Sequence, residues 1–214
     1  MIQYHRFAVN PIQENSYLLW DETKQACVID PGFSSPEEEA QLDHFITEHG
    51  LTLTRCLHTH LHFDHLWGAP HIMEKYRVVP EAPQIDIDDL PHLMQGLIES
   101  GSPFAQKILS IPFRALPETD VVAFGESTFR ILHVPGHTRG HVAYYSPEDT
   151  LVATGDVLFE GGDMGRADLW GGDYRQLITS IRTQLFTLPG ETRVLTGHGA
   201  TTTIEHERTH FMYD

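Results

Sequence analysis

The chain has 214 residues, 40% of them apolar or aromatic, enough for one substantial core without a separate second domain. Its 14 Lys and Arg face 30 Asp and Glu, and the net charge of −16 disfavours a nucleic-acid or acidic-membrane partner, since either needs a basic face. No run approaches the roughly 18 apolar residues of a membrane span, and Met1 to Val9 lack the charged start and apolar centre of a signal peptide, so a cytoplasmic protein is expected.

Residues 4–9, 16–20 and 25–30 read as three short strands, broken at Asn10-Pro11 and Asp21-Glu22-Thr23, as in an antiparallel opening sheet. The third runs into Asp30-Pro31-Gly32. Asp30 is open to two readings there, a plain turn acid or a carboxylate that orients a metal-bound imidazole. Ser35-Pro36-Glu37-Glu38-Glu39 then opens a helix: an N-cap hydroxyl, Pro at the first helical position, and acids against the positive end of the helix dipole. Leu42, Phe45 and Ile46 form its buried stripe, and Gly50 ends it. The run 51–57 reads as a buried strand carrying Cys56. Both it and the strand bearing Cys27 suit buried free thiols rather than a disulfide. Strand, helix, strand implies a parallel crossover and a mixed fold.

A short helix is expected over 66–76. A proline-clipped helical insert follows at about 80–117, where Leu90, Leu93, Met94, Leu97 and Ile98 recur at helical spacing. It either packs on the core, walls a cleft or joins two subunits, so a monomer and a homodimer both stay open. Strands return at 128–134, 141–145 and 150–154, an amphipathic helix at 173–185, a strand at 193–196 and a short helix at 204–210. One domain over 1–214 is expected.

The chemistry is concentrated in His60-Leu61-His62-Phe63-Asp64-His65, directly after strand 51–57. Neutral imidazoles and carboxylates are ligands of borderline divalent metals, and packing four of them at a strand end is electrostatically costly without a cation. His60 and His62, two apart, project to one side of an extended segment, while Asp64 and His65 follow where the chain turns. Later strands each end in a further candidate beside small residues: Gly136-His137-Thr138, Gly155-Asp156 and Gly197-His198-Gly199. Nitrogen and oxygen ligands suit zinc, iron and manganese alike.

Taken in order, His60-x-His62-x-Asp64-His65, His137, Asp156 and His198, with Asp30 at the first motif, resemble the metallo-β-lactamase superfamily. The resemblance spans nearly the whole chain. It implies an αββα sandwich, two mixed β-sheets with helices on both outer faces, and two divalent metal ions, zinc first. By the same resemblance one ion takes His60, His62 and His137, the other Asp64, His65 and His198, and Asp156 bridges them. Asp64 and Asp156 take the catalytic roles, and Asp30 and His141 support the ligands from behind. True β-lactamases place Cys or Ser where Asp156 stands, whereas a bridging carboxylate is typical of hydrolases of thioesters, lactones and phosphoesters.

Gly136-His137-Thr138-Arg139-Gly140-His141 is similar to the His-Thr-Ser-Gly-His stretch of glyoxalase II, and 159–168 resembles the Gly-Arg-x-Asp segment of its short single-domain relatives. Arg139 and Met164 depart from the commonest family residues. The implied activity is hydrolysis of a small-molecule thioester such as S-D-lactoylglutathione, with Arg166 expected to bind a substrate carboxylate. After His198 there is room for only one short helix, 204–210, and none for the basic helical domain that holds glutathione in glyoxalase II proper. Two rivals follow. A persulfide dioxygenase, in which the Gly-Arg-x-Asp segment also occurs, would hold one iron at His60, His137 and Asp156; a non-catalytic metal-stabilised module is disfavoured by ligands drawn only from His and Asp.

Overall fold

A computed structural model describes residues 1–213. Within the 1–214 domain expected from the sequence, the residues group into two compact units, Met1–Leu116 with Ala123–Ser127, and Pro117–Val122 with the residues from Thr128 onward. Each unit is organised on one mixed sheet with its own helices. Among the described residues no helix is long and apolar enough to cross a membrane.

The first unit opens with β1 (Gln3–Val9), β2 (Glu14–Trp20) and β3 (Gln25–Ile29), paired antiparallel as the alternation of runs and turns predicts. The helix α1 (Pro36–Glu48) carries the chain to β4 (Thr52–Leu57), which lies parallel to β3. Its start is the expected one, with the Ser35 hydroxyl accepting from the Glu38 amide at 3.2 Å and Pro36 in the first turn. One face of this sheet, with Phe7, Leu18, Trp20, Ala26, Val28 and Leu53, packs with Leu42 and Ile46 of α1. The other, with Tyr17, Leu19, Cys27, Ile29 and Leu57, is buried as well. Burial on both faces is what a near-continuous apolar strand such as Ala26–Ile29 requires.

The helix expected over 66–76 is instead a 3-10 turn, Phe63–His65, then α2 (Ala69–His71) running into a π-helical turn, Ile72–Tyr76. Next come β5 (Glu81–Ala82), the insert helices α3 (Gln84–Leu93), α4 (Gln95–Glu99) and α5 (Pro103–Leu109), and β6 (Arg114–Ala115). The first sheet runs β1-β2-β3-β4-β5-β6. Of the readings open for the insert, packing is directly visible: Leu90, Met94, Ile108 and Ile111 share a buried cluster with Leu61, Leu66, Ala69 and Ala82, just behind the His60–His65 segment.

The strand β7 (Val121–Phe124) escapes the sequence reading, although its apolar run before Gly125 signals it. Then follow β8 (Ser127–His133), β9 (Val142–Ser146), β10 (Leu151–Gly155) and the small hairpin β11 (Leu158–Phe159) and β12 (Asp163–Met164). The helix α6 (Tyr174–Ser180) continues as a π-helical turn, Ile181–Leu185, before β13 (Arg193–Thr196), β14 (Thr202–Thr203) and α7 (Ile204–His210). The second sheet runs β14-β13-β10-β9-β8-β7, with β10 and β13 parallel. Its core joins Ala143, Tyr145, Val152 and Val194 to Leu177, Ile181, Leu185 and Ile204 of the helical segments. In both units the residues of interest stand just past the carboxyl ends of parallel strands, β3 and β4 in one, β10 and β13 in the other.

Candidate metal centre

In the first unit the chain leaves β4 directly into His58-Thr59-His60. Asp30, just past the neighbouring β3, takes a left-handed backbone (φ 49°) with its amide on the Leu57 carbonyl at 2.9 Å. That turn aims its carboxylate at Thr59. Oδ1 accepts from the Thr59 amide at 2.7 Å and Oδ2 from the Thr59 hydroxyl at 2.6 Å. The same Oδ2 lies 3.2 Å from Nδ1 of His65, and Glu14 Oε1 lies 3.6 Å from that nitrogen. Of the two readings of Asp30, the geometry fits the one that orients an imidazole.

A tautomer follows from these contacts. Thr59 Oγ1 also sits 3.0 Å from Nδ1 of His60. A hydroxyl has one proton, and the Thr59 hydroxyl gives it to the Asp30 carboxylate at 2.6 Å. Oγ1 therefore accepts from His60, which carries its proton on Nδ1 and presents a lone pair at Nε2, the metal-binding form. His60, His65 and Asp30 each offer a ligand atom within 4.8 Å of the others, and all are buried. His62 precedes the 3-10 turn in extended conformation, its ring 4.9 Å from that of His60. Asp64 Oδ2 stands 3.6 Å from His65 Nε2.

Residues the sequence reading passed over hold this segment in place. Asn10 Nδ2 donates to the carbonyls of Asp64 at 3.1 Å and Gly32 at 3.0 Å. Asp86 of α3, fully buried, accepts from the Leu61 amide at 3.2 Å, between the two histidines. Glu14 is buried too, and desolvation drives its pKa well above the ordinary carboxylate range despite the opposing pull of His65. His58, which directly follows β4, is buried too, with Nδ1 3.9 Å from Asp30 Oδ1.

In the second unit Gly136 starts the turn that carries His137. Its φ is 135°, and a Cβ there would lie 2.3 Å from the Leu177 amide, so only glycine lets α6 approach this turn. His137 Nδ1 donates to the Arg166 carbonyl at 2.6 Å, which leaves its lone pair on Nε2. That Nε2 is 3.6 Å from Asp156 Oδ2, and Nε2 of His198 is 3.5 Å from the same oxygen. Two imidazoles from different strand ends thus meet one carboxylate oxygen. His141 Nε2 accepts from the Asp156 amide at 3.3 Å, behind the carboxylate. Arg166 is engaged differently from expectation: its guanidinium makes a bidentate pair with Asp168 at 2.7 and 2.8 Å, on the surface. The hydrogen bond from Arg166 holds the Asp168 carboxyl down at about 2.

The donor set fits a metal in each unit. Separations of 3.5 to 3.6 Å between Nε2 and carboxylate oxygen are too long for good hydrogen bonds. Two ligands each about 2.1 Å from a tetrahedral ion, however, lie roughly 3.4 Å apart. The imidazole tautomers deduced above are also those a metal requires.

The fold and these residues have clear counterparts. The family model of the metallo-β-lactamase superfamily matches residues 9–198. The chain is 37% identical over 205 residues to a protein named hydroxyacylglutathione hydrolase GloC of Haemophilus influenzae, covering 94% of this chain and 92% of that one. Among solved structures it resembles the BLEG-1 B3 metallo-β-lactamase, with a TM-score of 0.84 at 31% identity over 97% of both chains. It also resembles TTHA1623 in a di-iron-bound form, with a TM-score of 0.80 at 34% identity, covering 96% of this chain and 98% of that one. The chain belongs to the metallo-β-lactamase superfamily, whose fold its two mixed sheets and flanking helices follow, and it is one of the hydrolases of that superfamily.

Proposed function

We propose that the protein is a dinuclear, metal-dependent thioester hydrolase of the glyoxalase II type. The observation that carries this reading is the convergence of His137 and His198 on one oxygen of Asp156. A carboxylate so placed suits a bridge between two ions, and the sequence resemblance sets true β-lactamases apart by Cys or Ser at this position. The similarity to the protein named hydroxyacylglutathione hydrolase points the same way.

In this reading the two half-sets serve one centre. His60, His62 and His137 would hold one ion and Asp64, His65 and His198 the other, with Asp156 shared between the two sets. Zinc is the proposed metal; the di-iron form of a similar protein supports iron as a fit for the same ligand types. Bound there, such ions supply Lewis acidity and lower the pKa of water from about 15.7 toward about 7. The chain's own residues do the rest. Asp30, through Thr59 and His65, fixes which imidazole nitrogens face the centre, and the Arg166 carbonyl does so for His137. Asp156 accepts a proton-bearing nucleophile as a hydrogen-bond partner. A thiolate leaving group, with a thiol pKa near about 8.5, needs no strong general acid.

The test is a panel of a 2-hydroxyacyl thioester, a lactone, a β-lactam and a persulfide, assayed with zinc-loaded protein under strictly anaerobic conditions. Thioester cleavage, lost in His198→Ala, is expected. Oxygen consumption with the persulfide, no anaerobic thioester cleavage and indifference to His198→Ala would replace it with the dioxygenase.

A further inference from the structure

Asp64 and His65 rest on a different support from His60. His60 is fixed from its own strand end, through Thr59 and Asp30, and the Leu61 amide after it is held by Asp86. Asp64 and His65 are met instead by the turn between β1 and β2, which reaches them from Asn10, 54 residues before Asp64.

Asn10 takes a left-handed backbone (φ 56°), which Asn tolerates better than most side chains, and its polar groups are all committed. Its amide donates to Glu38 Oε1 at 2.8 Å, tying this turn to the start of α1, and its Oδ1 accepts from the Ile12 amide at 3.0 Å. The two protons of Nδ2 go to the carbonyls of Asp64 at 3.1 Å and Gly32 at 3.0 Å. The first of these belongs to the peptide that joins Asp64 to His65, so one side chain fixes the backbone between two ligands.

Glu14, at the other end of the turn, faces the His65 ring. Ser16 Oγ accepts from the Gly32 amide at 2.8 Å and gives its one proton to Glu14 Oε2 at 2.8 Å. Glu14 Oε1 makes no hydrogen bond among the described residues and lies 3.6 Å from Nδ1 of His65. Asp30 Oδ2, the other carboxylate oxygen at that nitrogen, already accepts the Thr59 hydroxyl. Gly32 is where these groups meet. A Cβ there would fall 2.2 Å from Glu14 Oε2, 2.4 Å from the Asp64 carbonyl oxygen and 2.9 Å from Asn10 Nδ2, so only a residue without a side chain lets both arms close. A fully buried carboxylate with one oxygen unmatched is costly, and here a glycine makes room for it beside a ligand.

We propose that Asn10 and Glu14 are positioning residues for one ion of the centre, the one assigned to Asp64, His65 and His198, so that the β1–β2 turn governs its occupancy separately from the ion on His60 and His62. This rests on the dinuclear thioester-hydrolase reading. Asn10 sets the backbone between the two ligands. Glu14 supplies an acceptor that keeps the proton of His65 on Nδ1 and leaves Nε2 to the metal.

Glu14→Gln removes the acceptor without changing the size. The Ser16 hydroxyl selects the amide oxygen, which turns the new NH2 toward Nδ1 of His65, donor against donor, and favours the tautomer that cannot ligate through Nε2. Asn10→Gly is the second variant, since it keeps the left-handed backbone and removes the hold on the Asp64 carbonyl. With the fold intact by circular dichroism, each variant is expected to bind one zinc ion with wild-type affinity and the other about 10- to 100-fold more weakly in chelator competition. Anomalous scattering from crystals grown at limiting zinc identifies the position: that of His60 and His62 filled, that of Asp64 and His65 empty. A merely structural role would weaken both positions alike. Two ions retained at wild-type affinity in either variant, or equal loss from both positions, overturns the inference. A wild-type protein that binds a single ion overturns the dinuclear reading and this inference with it, whereas one that binds two ions and cleaves no thioester overturns the proposed activity alone.

Discussion

Nε2 of His198 stands 3.5 Å from Oδ2 of Asp156, an oxygen that also lies 3.6 Å from Nε2 of His137. The arrangement depends on Gly197, because a Cβ there would fall 2.1 Å from Asp156 Oδ1. Gly197→Ala must therefore displace the carboxylate. Protein purified without chelator is expected to carry two metal ions per chain, and Gly197→Ala and Asp156→Ala one or fewer. The activity loss should exceed about 100-fold, since even outer partners of a ligand are worth roughly 10- to 100-fold. Elemental analysis checks the count, and two retained ions in Asp156→Ala would remove the bridging role.

Asp30 meets the ligand set from behind, through the Thr59 amide and hydroxyl and at Nδ1 of His65. Asp30→Asn keeps the size but puts a neutral amide where an acceptor-only group stood, so either Thr59 or His65 loses its orientation. Metal affinity measured by chelator competition is expected to drop about 10- to 100-fold, with the fold intact by circular dichroism. An unchanged affinity would reduce Asp30 to the plain turn acid.

How much of this the sequence disclosed depends on distance along the chain. The histidine cluster, the helix start at Ser35 and the strand ends bearing His137, Asp156 and His198 are local patterns, and periodicity with motif spacing locates them. Asn10 and Asp86 were not legible because their partners, Asp64 and Leu61, lie 54 and 25 residues away. Asp86 did leave a trace: it sits four residues before Leu90 on a buried helix face, an acid where the stripe calls for an apolar residue. The strands β5, β6, β11, β12 and β14, two residues each, are too short for any alternation to register. Arg166 was placed by its segment, yet its side chain was settled by an acid two residues on.

The two thiols offer a direct check on the packing. Cys27 and Cys56 are both fully buried on adjacent strands, free of any disulfide, and burial pushes each thiol well above its ordinary pKa. Neither is expected to react with a thiol reagent at pH 8 in the native protein, whereas both should do so within minutes in denaturant. Rapid titration of even one native thiol would contradict the packing of β3 against β4.

Asp43 provides the last prediction, on acid stability. From α1 its carboxylate accepts from His71 Nε2 at 2.9 Å, Lys75 Nζ at 2.6 Å and Tyr76 Oη at 2.5 Å, fastening α2 and the π-helical turn to α1. Burial alone would raise its pKa, but the hydrogen bonds from Lys75, Tyr76 and His71 outweigh it and hold the group below the ordinary carboxylate value. A carboxyl whose pKa is lower folded than unfolded stabilises the fold fully above its unfolded value, about 3.9, and loses that contribution as pH falls through the folded value. Asp43→Asn should therefore cost about 2 kcal/mol near pH 6, as expected for hydrogen bonds to a charged group, and the difference should narrow below about pH 4. Urea unfolding of metal-free wild-type and variant protein between pH 3 and pH 6 measures it without metal loss confounding the result. A gap that stayed constant down to pH 3 would show that Asp43 acts by packing and not by charge.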